Sequence, residues 1–173
     1  MEARAKMFGH AIHPILIVFP LGLLSTAVVF DVIYLVWGNT LMATVAFWMM
    51  AAGIVGGLLA APFGWIDWAK IPSGTRAKTV GFMHGMTNTV VLLLFVASFA
   101  MRYGLPERPE MTASILSFAG LVLALLGGWL GGELVERLGV GVDEGAHLNA
   151  PNSLTSDSAR GSESGYSKKM ARS

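Results

Sequence analysis

Three histidines stand where an apolar chain has little reason to place them. In "GHAIHPILIVFP", residues 9–20, His10 and His13 flank the entrance to a long hydrophobic run. His84 lies inside another such run, with Asn88 four residues on, one turn along the same helical face. Imidazole can ligate a metal through either ring nitrogen and can carry protons near neutral pH. An ionisable side chain at membrane depth is costly and marks function by default. Asp67 with Trp68, Arg76 and Glu133 fall at the ends of the neighbouring apolar runs. Four chain segments thus bring polar groups to one level, and that convergence is the main functional signal. Each group also has a structural reading: His10 facing headgroups, His13 capping a helix, His84 in an interhelical hydrogen bond. Asp67 with Arg76, and Glu133 with Arg137, would be surface ion pairs. Asp31 lies far from this cluster, and Arg102 is its expected partner in a structural pair.

The elements that must position these residues follow from composition. Of 173 residues, 54% are hydrophobic and only 13% charged, and the mean hydropathy is +0.60. A soluble domain carries charge on about a quarter of its residues. Four apolar stretches, Pro14–Trp37, Leu41–Phe63, Val80–Met101 and Ala113–Val135, reach the roughly 20 residues needed to cross a bilayer. The first is too long for a signal-peptide core and carries Asp31, so it reads as a retained span. The fold class is all-α: a four-helix transmembrane bundle over residues 1–142, with a disordered polar tail from Asp143 to the C-terminus. A net charge of +1 creates no field that would draw nucleic acid. With no cysteine, disulfides, Cys-ligated iron–sulfur clusters, thiolate zinc sites and covalent haem attachment are excluded.

Four spans put the N-terminus, the 64–79 loop and the C-terminus on one side, with ten of the twelve Lys and Arg residues. The positive-inside rule then predicts cytoplasmic termini. Pro14 suits a first helical turn, with His13 as its N-cap. Pro20 removes the bond to the Leu16 carbonyl and predicts a kink one to two turns above His13. Gly53 and Gly57 form a GxxxG, and Gly120, Ala124, Gly128 and Gly132 form a small-residue stripe with Gly127 and Gly131 beside it. Such stripes let helix backbones approach in lipid.

Three stretches, "GHAIHPILIVFPLGLL", "FGWIDWAKIPSGTRAKTVGFMHGMTN" and "GGWLGGELVERLGVGV", resemble a family of bacterial membrane proteins catalogued as domain of unknown function 2231. The resemblance spans about residues 9 to 142. It implies a shared pattern at His10 and His13, Asp67 with Trp68, Arg76, His84 with Asn88, and Glu133. Relatives commonly carry a further histidine where this chain has Val18, and an aromatic and a histidine where Glu136 and Leu138 stand. Any ligand set in this chain omits those positions. Fusion of some relatives to redox domains implies a redox link.

Three functions fit the cluster. In the first, haem b or a quinone sits between the helices, with His13 and His84 as possible iron ligands and His10 as the alternative to His13. Asn88 and Arg76 complete that cofactor-binding set; Trp65, Trp68 and Phe82 pack on the ring, and Arg76 or Lys78 meets the propionates. In the second, His13, His84, Asp67 and Glu133 form a proton or ion path. In the third, the protein is a non-catalytic membrane subunit that docks a redox or membrane protein partner, or a second copy of itself. No nucleophile–base set, phosphate-binding loop or HExxH spacing favours hydrolysis. The expected location is the bacterial inner membrane.

Overall fold

The computed structural model describes residues 1–154, so the part of the expected tail from residue 155 onward lies outside the described residues. A two-stranded antiparallel hairpin comes first, β1 (Lys6–Met7) with β2 (His10–Ala11), paired Lys6 to Ala11 and Met7 to His10. Its two-residue turn, Phe8–Gly9, has φ of 52° and 81°. Two positive φ values are what a tight hairpin turn matching strand twist requires.

Then come α1 (Ile12–Leu16), α2 (Val18–Trp37), α3 (Thr40–Lys70), α4 (Arg76–Arg102) and α5 (Met111–Gly132), the last running on into a π-helical turn at Glu133–Arg137. Each apolar stretch lies within a longer helical span, Ile12–Trp37, Thr40–Lys70, Arg76–Arg102 or Met111–Arg137, because backbone hydrogen bonding continues where apolarity stops. α3 carries on through Pro62 to Lys70, about 46 Å at 1.5 Å per residue, well beyond a hydrocarbon core of roughly 30 Å. Asp67 and Trp68 therefore sit on its last two turns, and Arg76 is the first residue of α4.

The proline expected to bend the first span coincides with a local interruption of its helix, although Ile17 itself keeps helical dihedrals of −65° and −15°. The helix is interrupted at Ile17, next to the Leu16 carbonyl that Pro20 cannot serve. Ala11, not His13, occupies the N-cap position of α1, and His13 is inside the helix with its ring turned to another partner. At the other end of α2, Gly38 takes φ 68° and donates to the Tyr34 carbonyl. Asn39 then caps α3 through its side chain, so α2 and α3 reverse direction within two residues.

The bundle runs up-down-up-down. Packing is closest within the α2–α3 and α4–α5 hairpins and sparser between them. Leu24, Ala27, Val28, Ala46, Met50, Ile54, Val91 and Phe95 fill the centre. Glycines set the spacing, though not all those the spacing pattern nominated. A Cβ on Gly53 would meet the Leu24 side chain at 2.6 Å, and one on Gly56 would meet Phe19 Cβ at 2.8 Å and the Pro20 ring at 3.1 Å. Gly57 instead faces Leu92 of α4 at 3.0 Å. On α5 the close approaches are at Gly120, Gly127 and Gly131, whereas Gly128 and Gly132 have open space.

The expected Asp31–Arg102 pair is present and completely buried. Arg102 Nη1 and Nη2 donate to Asp31 Oδ1 and Oδ2 at 2.6 and 2.8 Å, a two-pronged contact between α2 and α4. Ser117 of α5 donates to Asp31 Oδ2 at 2.9 Å, and Arg102 Nε reaches Ser98 at 3.3 Å. These serines had no motif to announce them; their signal is position, one turn before Arg102 and on the facing helix. Removing one partner strands a buried charge, so Asp31→Leu alone should destabilise by about 3–5 kcal/mol. The double variant Asp31→Leu/Arg102→Met should recover most of that loss, as read by thermal unfolding in detergent.

Candidate functional site

At the other end of the bundle, His13 of α1 and His84 of α4 face one another. Their ring centroids are 6.4 Å apart and their planes nearly perpendicular, at 87°. His13 Nδ1 lies 3.0 Å from the Ala60 carbonyl of α3, and His84 Nδ1 lies 2.9 Å from the Gly127 carbonyl of α5. A carbonyl oxygen only accepts, so each Nδ1 must carry the proton and donate. Each imidazole is thereby set in the tautomer whose Nε2 lone pair is left for another partner. That is the arrangement by which backbone carbonyls orient metal-ligating histidines. Asn88 Nδ2 donates to the His84 backbone carbonyl at 2.9 Å and lies 3.4 Å from both ring nitrogens.

The opposition of the two rings follows from helix arithmetic. His13 precedes Asp31 by 18 residues, and His84 precedes Arg102 by the same 18. Eighteen residues make about five turns at 3.6 residues per turn. Each histidine therefore shares a helix face with its own member of the buried ion pair. With α2 and α4 parallel and joined through Asp31 and Arg102, the histidines meet at the far end. Glycines then admit the rings: a Cβ on Gly64 would stand 2.9 Å from His13 Cε1, and one on Gly131 would stand 3.1 Å from His84 Cε1.

The other expected residues divide. Asp67 accepts the backbone N–H groups of Arg4 and Ala5 at 2.8 and 3.3 Å, so it holds the N-terminal arm rather than Arg76. Arg76 pairs with Glu133 across the α4–α5 interface at 2.5 Å, and Glu133 therefore does not serve Arg137. His10 lies in β2, not in a helix, with Nε2 3.3 Å from Ser153 Oγ. Trp65, Trp68 and Phe82 pack on one another. The Lys78 ammonium sits 3.8 Å over the Trp68 ring and donates to the Trp68 and Ala69 carbonyls, closing the end of α3. Val18 is 62% exposed, on the outer surface of the bundle. The Ala60 and Gly127 carbonyls could not be anticipated, because backbone acceptors leave no trace in side-chain identity.

Further out, the arm and the segment after α5 are joined. Met1 N–H donates to Gly139, and Gly141 N–H to Met1, at 3.0 and 2.8 Å. Lys6 bridges Glu2 and Asp143. Its hydrogen bond to Asp143 is the main cause holding the Lys6 ammonium above its ordinary 10.5, with Glu2 adding to it and burial opposing. That contribution is complete at neutral pH and is lost only as pH rises through the raised value.

Four apolar helices, a buried ion pair at one end and an oriented histidine pair at the other define a small polytopic membrane protein embedded in the lipid bilayer. The family described as Predicted membrane protein (DUF2231) matches residues 9–144, and the chain belongs to that family. No curated protein and no solved structure matches the chain.

The glycines around the pair supply a direct check. A Cβ at Gly127 would lie 2.7 Å from Asn88 Oδ1, whereas one at Gly128 meets nothing within 4 Å. Gly127→Ala should destabilise by about 1–3 kcal/mol through overpacking. Gly128→Ala should be neutral or stabilising by up to about 1 kcal/mol through helix propensity. Thermal unfolding of the two variants side by side tests the difference in sign.

Proposed function

We propose that this protein binds haem b between its helices, where His13 and His84 would hold its iron, and that it works as an electron-transfer protein of the bacterial plasma membrane. One observation carries the reading. Two imidazoles from different helices stand 6.4 Å apart, each fixed by a backbone carbonyl so that Nε2 carries the lone pair. At metal–nitrogen bonds of about 2 Å, rings this close could both reach one bound group. The donor set fits as well. A bare zinc ion takes four ligands, and two imidazoles leave it two short, whereas a porphyrin brings four nitrogens of its own and asks the protein for two. Neutral histidine is a common axial ligand of haem iron, and bundle cores are common cofactor sites.

The iron would supply one-electron chemistry; the protein's own part is orientation. Ala60 and Gly127 hold the ring tautomers, and Gly64 and Gly131 leave the rings room. Asn88 restrains His84 from its own helix. Arg76 is engaged with Glu133, so the reading rests on the histidines and not on a propionate partner. The ten-to-two division of Lys and Arg supports cytoplasmic termini, which puts the histidine end toward the cytoplasm. An electron carrier, whether a membrane protein or a soluble redox protein, would then meet it there.

The test is the absorption spectrum of protein purified from haem-replete membranes, oxidised and then dithionite-reduced. A Soret band with sharp reduced α and β bands is expected. It should be lost or converted to a high-spin form in His13→Ala and in His84→Ala, and kept in His10→Ala. A wild-type protein that stays colourless and takes up no added haem overturns the proposal.

A further inference from the structure

His13 is tethered twice to the same helix, and the second tether runs through the N-terminal hairpin. Its ring meets the Ala60 carbonyl of α3. Seven residues further along α3, Asp67 Oδ1 accepts the Arg4 and Ala5 N–H groups at 2.8 and 3.3 Å. Ala5 in turn accepts the N–H of Ile12 at 2.9 Å, next to His13 in the chain. Lys6 to Ala11 and Met7 to His10 close the loop between them. Every link from the carboxylate to the residue beside the imidazole is a hydrogen bond, and the two backbone donors to Asp67 are charge-assisted.

We propose that Asp67 is a positioning residue of the histidine site: it clamps the N-terminal hairpin to α3 and so holds His13 to that helix from the backbone side as well as from the ring. The clamp explains why a carboxylate stands at the end of a membrane helix without an ion-pair partner among the described residues. It also answers a mechanical need. α1 is only five residues long and forms the free end of the first span, joined to α2 through the Ile17 N–H bond to the His13 carbonyl, so a hold on the arm that precedes it adds to what the helix itself provides. The purpose of the clamp rests on the haem reading, but its existence does not.

The chain contains no cysteine, so one cysteine introduced at Ala11, in β2, reports hairpin opening through its rate of reaction with a water-soluble maleimide. A cysteine introduced at Ser73, exposed in the loop between α3 and α4, is the control. In detergent-solubilised full-length protein, Asp67→Ala should speed labelling of Ala11→Cys about tenfold, the scale of one hydrogen bond to a charged group, and leave Ser73→Cys unchanged. Asp67→Asn keeps an oxygen acceptor without the charge and should label at a rate between wild type and Asp67→Ala, which a role resting on negative charge alone would not allow. Arg4→Pro removes the shorter donor from the arm, outside the membrane helices, and should reproduce the effect of Asp67→Ala. Arg4→Pro decides the matter if Asp67→Ala does not insert. Unchanged labelling of Ala11→Cys in Arg4→Pro, or equally fast labelling in Asp67→Asn and Asp67→Ala, overturns the clamp. In haem-loaded protein, Asp67→Ala should add a high-spin fraction that free imidazole reverses. A colourless wild type removes the haem reading and leaves the labelling result to judge the clamp.

Discussion

The bidentate contact between Asp31 and Arg102 is the constraint on which the rest of the bundle depends. Between helices in lipid there is little hydrophobic drive, since acyl chains are as apolar as leucine. Helices can then slide or rotate against one another at small cost unless something specific pins them. Here two charges, both with no exposed surface, can satisfy each other only at one axial offset and one rotation of α2 relative to α4. Ser117 extends the same restraint to α5. A misregistered bundle would leave a buried carboxylate or guanidinium unpaired, which is strongly unfavourable. The pair thus acts on specificity of arrangement more than on net stability. Five turns away on each helix stand His13 and His84, so the register set at one end determines which groups meet at the other.

At that other end the positioning agents are backbone atoms, exposed to view by glycine. Gly127 serves twice: its lack of a side chain leaves room for Asn88, and its carbonyl takes the His84 proton. Gly64 and Gly131 border the two rings in the same way. The small-residue stripe on α5 therefore divides by function. Gly120, Gly127 and Gly131 face the bundle and admit Phe95, Asn88 and His84, while Gly128 and Gly132 face open space. A spacing of four drifts off a helix face over several turns at 3.6 residues per turn, so an evenly spaced stripe cannot remain buried along its whole length. The buried glycines keep to the face because they lie seven and then four residues apart.

The charged residues around the histidines show a related limit. Asp67, Arg76 and Glu133 are legible as a cluster, because all lie where apolar segments end. Their partners are not legible. Proximity along the chain suggested Asp67 with Arg76 and Glu133 with Arg137, yet Arg76 spans the α4–α5 interface to Glu133 and Asp67 turns to the arm. Local pairs on exposed helix turns gain only tenths of a kcal/mol, too little to compete once tertiary packing brings a better-placed partner. The hairpin at Lys6–Ala11 is equally hidden in the sequence, since two-residue strands carry no periodic pattern.

By itself, the sequence determined the four membrane helices, the helix interruption beside Pro20, the buried Asp31–Arg102 pair and the location of a histidine-bearing polar end. These follow from hydropathy over about 20 residues, from a missing N–H, and from the cost of a lone charge in lipid, all of which are local or nearly so. Only the tertiary structure decided that His13 faces His84, which nitrogen of each ring carries the proton, which glycines are contact points and what Asp67 holds. Those outcomes depend on backbone carbonyls and helix rotations brought together from residues 43 to 63 positions apart. No single helix contains the information, because an acceptor carbonyl looks the same at every residue until packing selects one.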